Sequence, residues 1–225
     1  MTGTRRRAPH YQRGLPFHLG PRAALDDGPE HVIDLLRVAA GRGARGAALR
    51  LGRLLLATVG AAEEGVKWLR AAADAGEAEA LHLLGLAHAE GAGAKKNLAL
   101  ARRLQKEAAD RGVVDAQFEL SLMLAQGLGG KVDARGARRW EGEAAEAGHA
   151  RACLNRASRL ASARRPDFAE AMRWYERAAE AGHPEAAARL CKMYLAGQGV
   201  ARDEAAARHW FERAAALGHD WSTEP

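Results

Sequence analysis

Side chains branched at Cβ are nearly missing from this chain of 225 residues, which holds eight Val, four Thr and a single Ile, Ile33. Such residues pack best on a pleated surface, so their scarcity excludes a β-sandwich, a barrel or a parallel-sheet α/β domain. Cysteine is also scarce. Cys153 and Cys191 alone cannot build a disulfide scaffold, and so low a count fits a reducing compartment. The longest apolar stretch, Leu54 to Ala62, is about half of what a membrane span requires. Arg5, Arg6 and Arg7 precede no apolar segment, so neither a secretory nor a twin-arginine signal is expected and the default location is cytoplasmic.

What is present in excess is small: 53 Ala and 25 Gly. Alanine is the best intrinsic helix former, and a methyl group lets helices approach closely. The composition predicts an all-helical protein. The net charge of +6 comes from 34 basic and 28 acidic residues. Both signs are mixed along the chain, the pattern of a solvated surface more than of a nucleic-acid footprint.

Residues 1–30 contain four of the seven prolines, five Arg against three acids, and no helical period. They read as a flexible basic leader, with a basic arm for an anionic partner as the alternative. A first helix is expected over 31–43, with Val32, Leu35, Leu36 and Ala39 on one face.

From there the chain repeats. Five segments end in Gly76, Gly112, Gly148, Gly182 and Gly218, at spacings of 36, 36, 34 and 36. Eight residues before each glycine stands Trp68, Leu104, Trp140, Trp174 or Trp210, and four and five residues after each of these stand two alanines. Each unit has an earlier half with a small residue at one place: Gly52, Gly85, Ser121, Ala157 and Cys191. Three units follow it with a glycine pair (Gly91/Gly93, Gly127/Gly129, Gly197/Gly199), and Asn97, Asp133, Asp167 and Asp203 then supply a helix-capping side chain. The unit is therefore a helical hairpin. Helix A ends at glycine, Asp or Asn caps helix B, and the Trp and alanines form the stripe of helix B. A hairpin cannot bury its stripe alone, so the units must stack.

The segment from Ala187 to Ala215, with "LCKMYLAGQGVARD" followed by Trp210 and its alanines, resembles the Sel-1-like repeat. That resemblance implies an all-α fold: a right-handed α-solenoid of stacked antiparallel hairpins, similar to tetratricopeptide repeats. Five units are expected over 44–76, 77–112, 113–148, 149–182 and 183–218, with 219–225 as a tail. The fourth unit is two residues shorter, lacks the glycine pair and has Arg156 where Leu is expected; the first has Ala61 where a cap should be. Such proteins serve as non-catalytic adaptors that bind a partner protein or peptide, and this implies a scaffold with no enzyme activity and no cofactor. One branch, cysteine-rich, binds or hydrolyses penicillins; its paired cysteines in every repeat are not matched here. A helical-repeat nucleic-acid binder is the other alternative.

No catalytic constellation stands out. His149, His183 and His219 recur one per repeat, and hairpins stack about 10 Å apart, whereas zinc ligands sit about 2 Å from one ion. These histidines read as helix-start contacts, and His82 and His88 do not face together, so no metal is expected. Cys191 reads as a buried inert thiol, and nothing activates Cys153. The glycine pairs follow helices, not strands, so no dinucleotide site is implied. The tryptophans read as core. In such solenoids helix A lines the concave surface, where two rows are left for a partner: Arg50, Leu83, Glu119, Asn155, Arg189, and Arg53, Leu86, Leu122, Ser158, Lys192. They predict a groove with an apolar middle and basic ends, suited to a peptide or helix with apolar anchors and acidic ends. Neither membrane nor nucleic acid is expected as a partner. Two readings stay open for the C-terminal end: Trp221 folds over the last hairpin as a partial lid, or the open end mediates dimerisation.

Overall fold

Ala, Leu, Arg and Glu favour helix almost everywhere between the turns, and the punctuation is local. The computed structural model of the chain describes residues 29–221. It contains eleven helices among those residues and no strand. A single helix, α1 (Pro29–Gly41), precedes five hairpins: α2/α3 (Ala47–Leu56, Ala62–Asp74), α4/α5 (Ala78–Glu90, Leu98–Asp110), α6/α7 (Val114–Gln126, Ala134–Glu146), α8/α9 (Ala150–Ala161, Phe168–Glu180) and α10/α11 (Pro184–Ala196, Glu204–Ala216). Each helix packs on its chain neighbours, α2 and α4 also touch directly, and the stack is an α-solenoid.

The expected caps form. Asn97 accepts from the Leu100 amide at 3.0 Å, Asp133 from Gly136 at 2.8 Å, Asp167 from Glu170 at 2.9 Å, and Asp203 from Ala205 and Ala206 at 2.9 and 3.0 Å. Helix α3 starts at Ala61 without a side-chain cap. Helix B ends in a glycine with φ between 83° and 91° in every unit. The amide of the next residue then donates back into the helix, as from His149 to Ala144 O at 2.9 Å. This is the six-to-one closure that an αL glycine permits.

The small residue of helix A answers to helix B of its own hairpin. A Cβ at Gly52 would lie 2.6 Å from Leu69 Cγ, and one at Gly85 would lie 2.7 Å from Gln105 Nε2. Ser121, Ala157 and Cys191 fill the place in the other units and are all buried. The second glycine of each pair does a different job from turn closure alone. A Cβ at Gly93 or Gly129 would overlap the carbonyl of Ala62 or Leu98, the first helical residue of the preceding helix B. The turn of one hairpin thus rests on the hairpin before it. The fourth hairpin lacks this contact, since its turn begins at Ser162 and has no positive-φ residue.

The core runs through the stack. Ala72, Ala108, Ala144, Ala178 and Ala214, each four residues after the Trp position, are 0–1% exposed. Such sites leave no room for a larger side chain. At the N-terminal end the expected helix needs correction. It begins at Pro29, and its buried residue is Ile33, packed with Leu36 and Ala40 against Leu51 and Leu55. Leu35, expected on the core face, is 58% exposed, because the stripe follows 33, 36 and 40. Residues 1–28 of the expected leader and 222–225 of the expected tail lie outside the described residues.

Candidate interaction surfaces

Helices α2, α4, α6, α8 and α10 carry the two expected rows, and the rows differ in what they leave free. Leu83 is in the core: it is 4% exposed and packs with Val66, Leu69 and Ala87, so it is no surface anchor. Helix α4 meets α3 on one side and α5 on the other, and its "LHLLGLA" is apolar all round, so no face could be told from the pattern. Leu86 and Leu122, at equivalent places in consecutive hairpins, are half-buried at the margin of the core. Arg50, Arg189 and Lys192 are exposed.

Several row residues already have partners. Arg53 pairs with Glu79, Arg189 reaches Glu185 at 3.4 Å, and Asn155 Nδ2 donates to Glu141 at 2.9 Å. Ser158 shares a hydrogen bond of 3.2 Å with the Tyr175 hydroxyl. Glu119 is half-buried, and burial pushes its carboxyl up, with Glu90 and Asp115 adding to the rise. Burial raises Glu90 as well. Burial disfavours the charged form of both acids.

Of the repeating histidines, His149 and His183 sit at helix starts, and His219 follows the last helix. His149 caps α8, its Nδ1 accepting from the Ala152 amide at 3.3 Å, and it stacks on Phe118 with ring centroids 4.3 Å apart. His183 opens α10 without a side-chain cap, and burial lowers the pKa of both. His82 is buried and bonded through Nδ1 to Gln105 Oε1 at 2.8 Å, while Gln105 Nε2 donates to His82 O at 3.1 Å. His88 meets Lys95 O at 3.2 Å. Among the described residues no three metal-ligating side chains converge.

Both cysteines are buried and neither is in a disulfide. Cys191 holds the small-residue place, and Cys153 donates to Ala145 O at 3.3 Å, burial pushing its thiol up and away from the reactive thiolate. Trp140 and Trp174 are buried, Trp68 and Trp210 half-buried. Trp221 lies on the last hairpin, stacked on Phe211 at 4.7 Å and edge-on to His219 at 4.6 Å, as expected of a partial lid. No helix among the described residues is long and apolar enough to cross a membrane.

A family model described as Sel1 repeat matches residues 47–77, 78–113, 114–149, 150–183 and 184–219. A search of the curated proteins finds no match. Among solved structures, a Sel1 repeat protein from Oxalobacter formigenes superimposes with a TM-score of 0.77 at 29% identity, covering 85% of this chain and 57% of that one. The protein c5321, a protective antigen of uropathogenic Escherichia coli strains displaying an SLR fold, gives 0.68 at 29% identity, over 83% of this chain and 41% of that one. The immunity protein Pa5087 from Pseudomonas aeruginosa gives 0.57 at 15% identity, over 87% and 80%, a likeness of fold alone. The chain thus spans little more than half the length of the first of these and less than half of the second.

Proposed function

This chain belongs to the Sel1 repeat family, and from that premise we propose that it is a non-catalytic cytoplasmic scaffold that holds a segment of a partner protein along its concave helix-A face. The Sel1 fold is commonly a protein-interaction scaffold. The observation that carries the reading is the placement of Leu86 and Leu122, which keep part of their apolar surface open at matching positions of adjacent hairpins. A side chain covered twice in register is what a helix or extended segment with repeated apolar anchors requires. Arg50 at one end of the rows and Arg189 and Lys192 at the other favour acidic groups at the ends of that segment.

The test is recovery of the partner from native lysate by tagged protein, with and without Leu86→Glu and Leu122→Glu together. Loss of the recovered partner from a protein that keeps its helicity supports the reading. Unchanged recovery from the still-helical double variant removes it.

A further inference from the structure

In two of the hairpins the first turn of helix B supplies the hydrogen-bond acceptor for the tryptophan that follows. Trp68 Nε1 donates to Glu64 at 3.2 Å in α3, and Trp174 Nε1 donates to Glu170 at 2.9 Å in α9. Both glutamates stand four residues before their tryptophan, one helical turn away. Helices α7 and α11 depart from this, and in α11 Ala206 stands four residues before Trp210. Four residues before Trp140 stands Gly136, which has no carboxylate to offer, and the indole finds no acceptor among the described residues.

Gly136 and Trp140 line a groove between α5 and α7 of about 1040 Å³, floored by Leu120 and Leu124 of α6. Its walls are cationic. Arg102, Arg103 and Lys106 come from α5, Arg135 and Arg139 from α7, and the single lining acid, Asp133, is spent on capping the Gly136 amide. Arg102 is tied to Lys131 O at 2.9 Å and Lys106 to Asp110 at 2.6 Å. Arg103, Arg135 and Arg139 are exposed and make no ion pair among the described residues. Some exposed arginines elsewhere meet acids, as Arg37 meets Glu64 and Arg177 meets Glu146, and others such as Arg70 stand alone among the described residues; this groove differs in gathering five cationic side chains against one acid. Like charges gathered on one groove repel, and an anion entering it relieves that repulsion.

We propose that the groove between α5 and α7 binds an acidic segment of a partner protein, one of whose carboxylates takes the place at Trp140 that Glu64 fills in α3 and Glu170 fills in α9. A peptide fits better than a nucleic acid for two reasons. The cationic surface is short, because the helices B on either side begin with Glu63 and Glu64 in α3 and bear Glu170 in α9, so there is no stripe for a phosphate backbone to follow. Trp140 is 7% exposed with Arg139 lying 4.7 Å over its ring, so it offers no face on which a base could stack. None of these residues belongs to the helix-A rows, so this site stands or falls independently of that surface.

The probe is a fluorescein-labelled peptide of repeating Asp-Glu-Leu, measured by fluorescence anisotropy against the full chain at low and physiological salt. A Gln-for-acid version of the peptide and a single-stranded oligonucleotide of equal charge are run beside it. The acidic peptide is expected to bind, with affinity falling as salt rises, and the neutral version is expected not to. Arg103→Glu with Arg139→Glu is expected to weaken binding about tenfold or more. Gly136→Glu restores the glutamate of α3 and α9 and is expected to weaken it similarly, while Gly136→Ala, which adds the same Cβ without charge, stays within about twofold of the parent. The Gly136 pair keeps the test open should the double reversal fail to fold. Tighter binding of the oligonucleotide, equal binding of the neutral peptide, or unchanged binding by Gly136→Glu overturns the proposal.

Discussion

The third and fourth hairpins follow one plan and diverge in how much of it they complete internally. In the fourth, Trp174 is closed on every side: its N–H is bonded to Glu170, and the guanidinium groups of Arg156 and Arg177 lie 4.0 and 4.4 Å from its ring centre. Both arginines are in turn paired with Glu146 of the third hairpin. Arg156, which stands where the repeat expects Leu, is therefore a lid on the tryptophan and a strut to its neighbour. The third hairpin has the better turn, with Gly129 resting on Leu98, and the less complete tryptophan, with no acceptor and three cations left unpaired. The fourth has given up that turn contact and gained the arginine sandwich. Each junction has one strong device, and the third also gathers five cationic side chains in a groove beside its indole.

Removing the tryptophans separates the two hairpins by the widest margin. Trp174→Ala is expected to cost about 4 kcal/mol, the usual loss for a large buried aromatic, with the arginine stacking lost besides. Trp140→Ala is expected to cost about 3 kcal/mol, because no N–H bond is broken. Urea denaturation with an unchanged m-value checks both. A larger loss at Trp140 than at Trp174 would break the comparison.

The turns come next. Gly129→Ala drives a methyl into the Leu98 carbonyl at a residue with φ of 72°, and about 3 kcal/mol is expected to be lost. Ala163→Gly, in the fourth turn where no such contact exists, is expected to stay within about 0.5 kcal/mol of the parent. Equal losses at the two turns would mean that the glycine pair only reverses the chain and carries no junction.

Much of this was legible beforehand, and the exceptions have physical causes. Gly52, Gly85, Ser121, Ala157 and Cys191 declared the close approach because one small residue recurs against varied neighbours. Asn97, Asp133, Asp167 and Asp203 declared the caps, and all four accept the amide bonds expected of them. Leu83 misled because a helix packed on two sides is apolar all round, so spacing cannot say which leucine faces out. Leu35 misled because α1 is short and a phase error of one residue turns the stripe by about 100°. The groove was written in the chain as Gly136 against Glu64 and Glu170. The exchange acquires meaning only once the indole bonds to those glutamates are seen, since a glycine within a helix otherwise reads as compositional bias.

The smallest effect concerns the junction between the two hairpins, where His149 joins them. Its Nδ1 accepts the Ala152 amide only while unprotonated, and its ring stacks on Phe118. Burial is the largest influence on it and lowers its pKa, with Asp115 opposing, so the folded protein holds this proton less tightly than the unfolded chain, where histidine titrates near about 6.5. The unfolded state therefore binds more protons, and stability falls as pH drops below about 6.5 and levels off beneath the folded pKa. His82 and His183, also depressed by burial, add to the same slope. Melting followed from about pH 7.5 to about pH 5.5 is expected to fall in the parent, and His149→Asn, which keeps the cap without titrating, is expected to flatten part of that fall. The remainder belongs to His82 and His183. An unchanged slope in His149→Asn would place the acid sensitivity in the other hairpins and leave the packing of Ala144 and Ala145 on α8 and the Glu146 arginines to join the third and fourth.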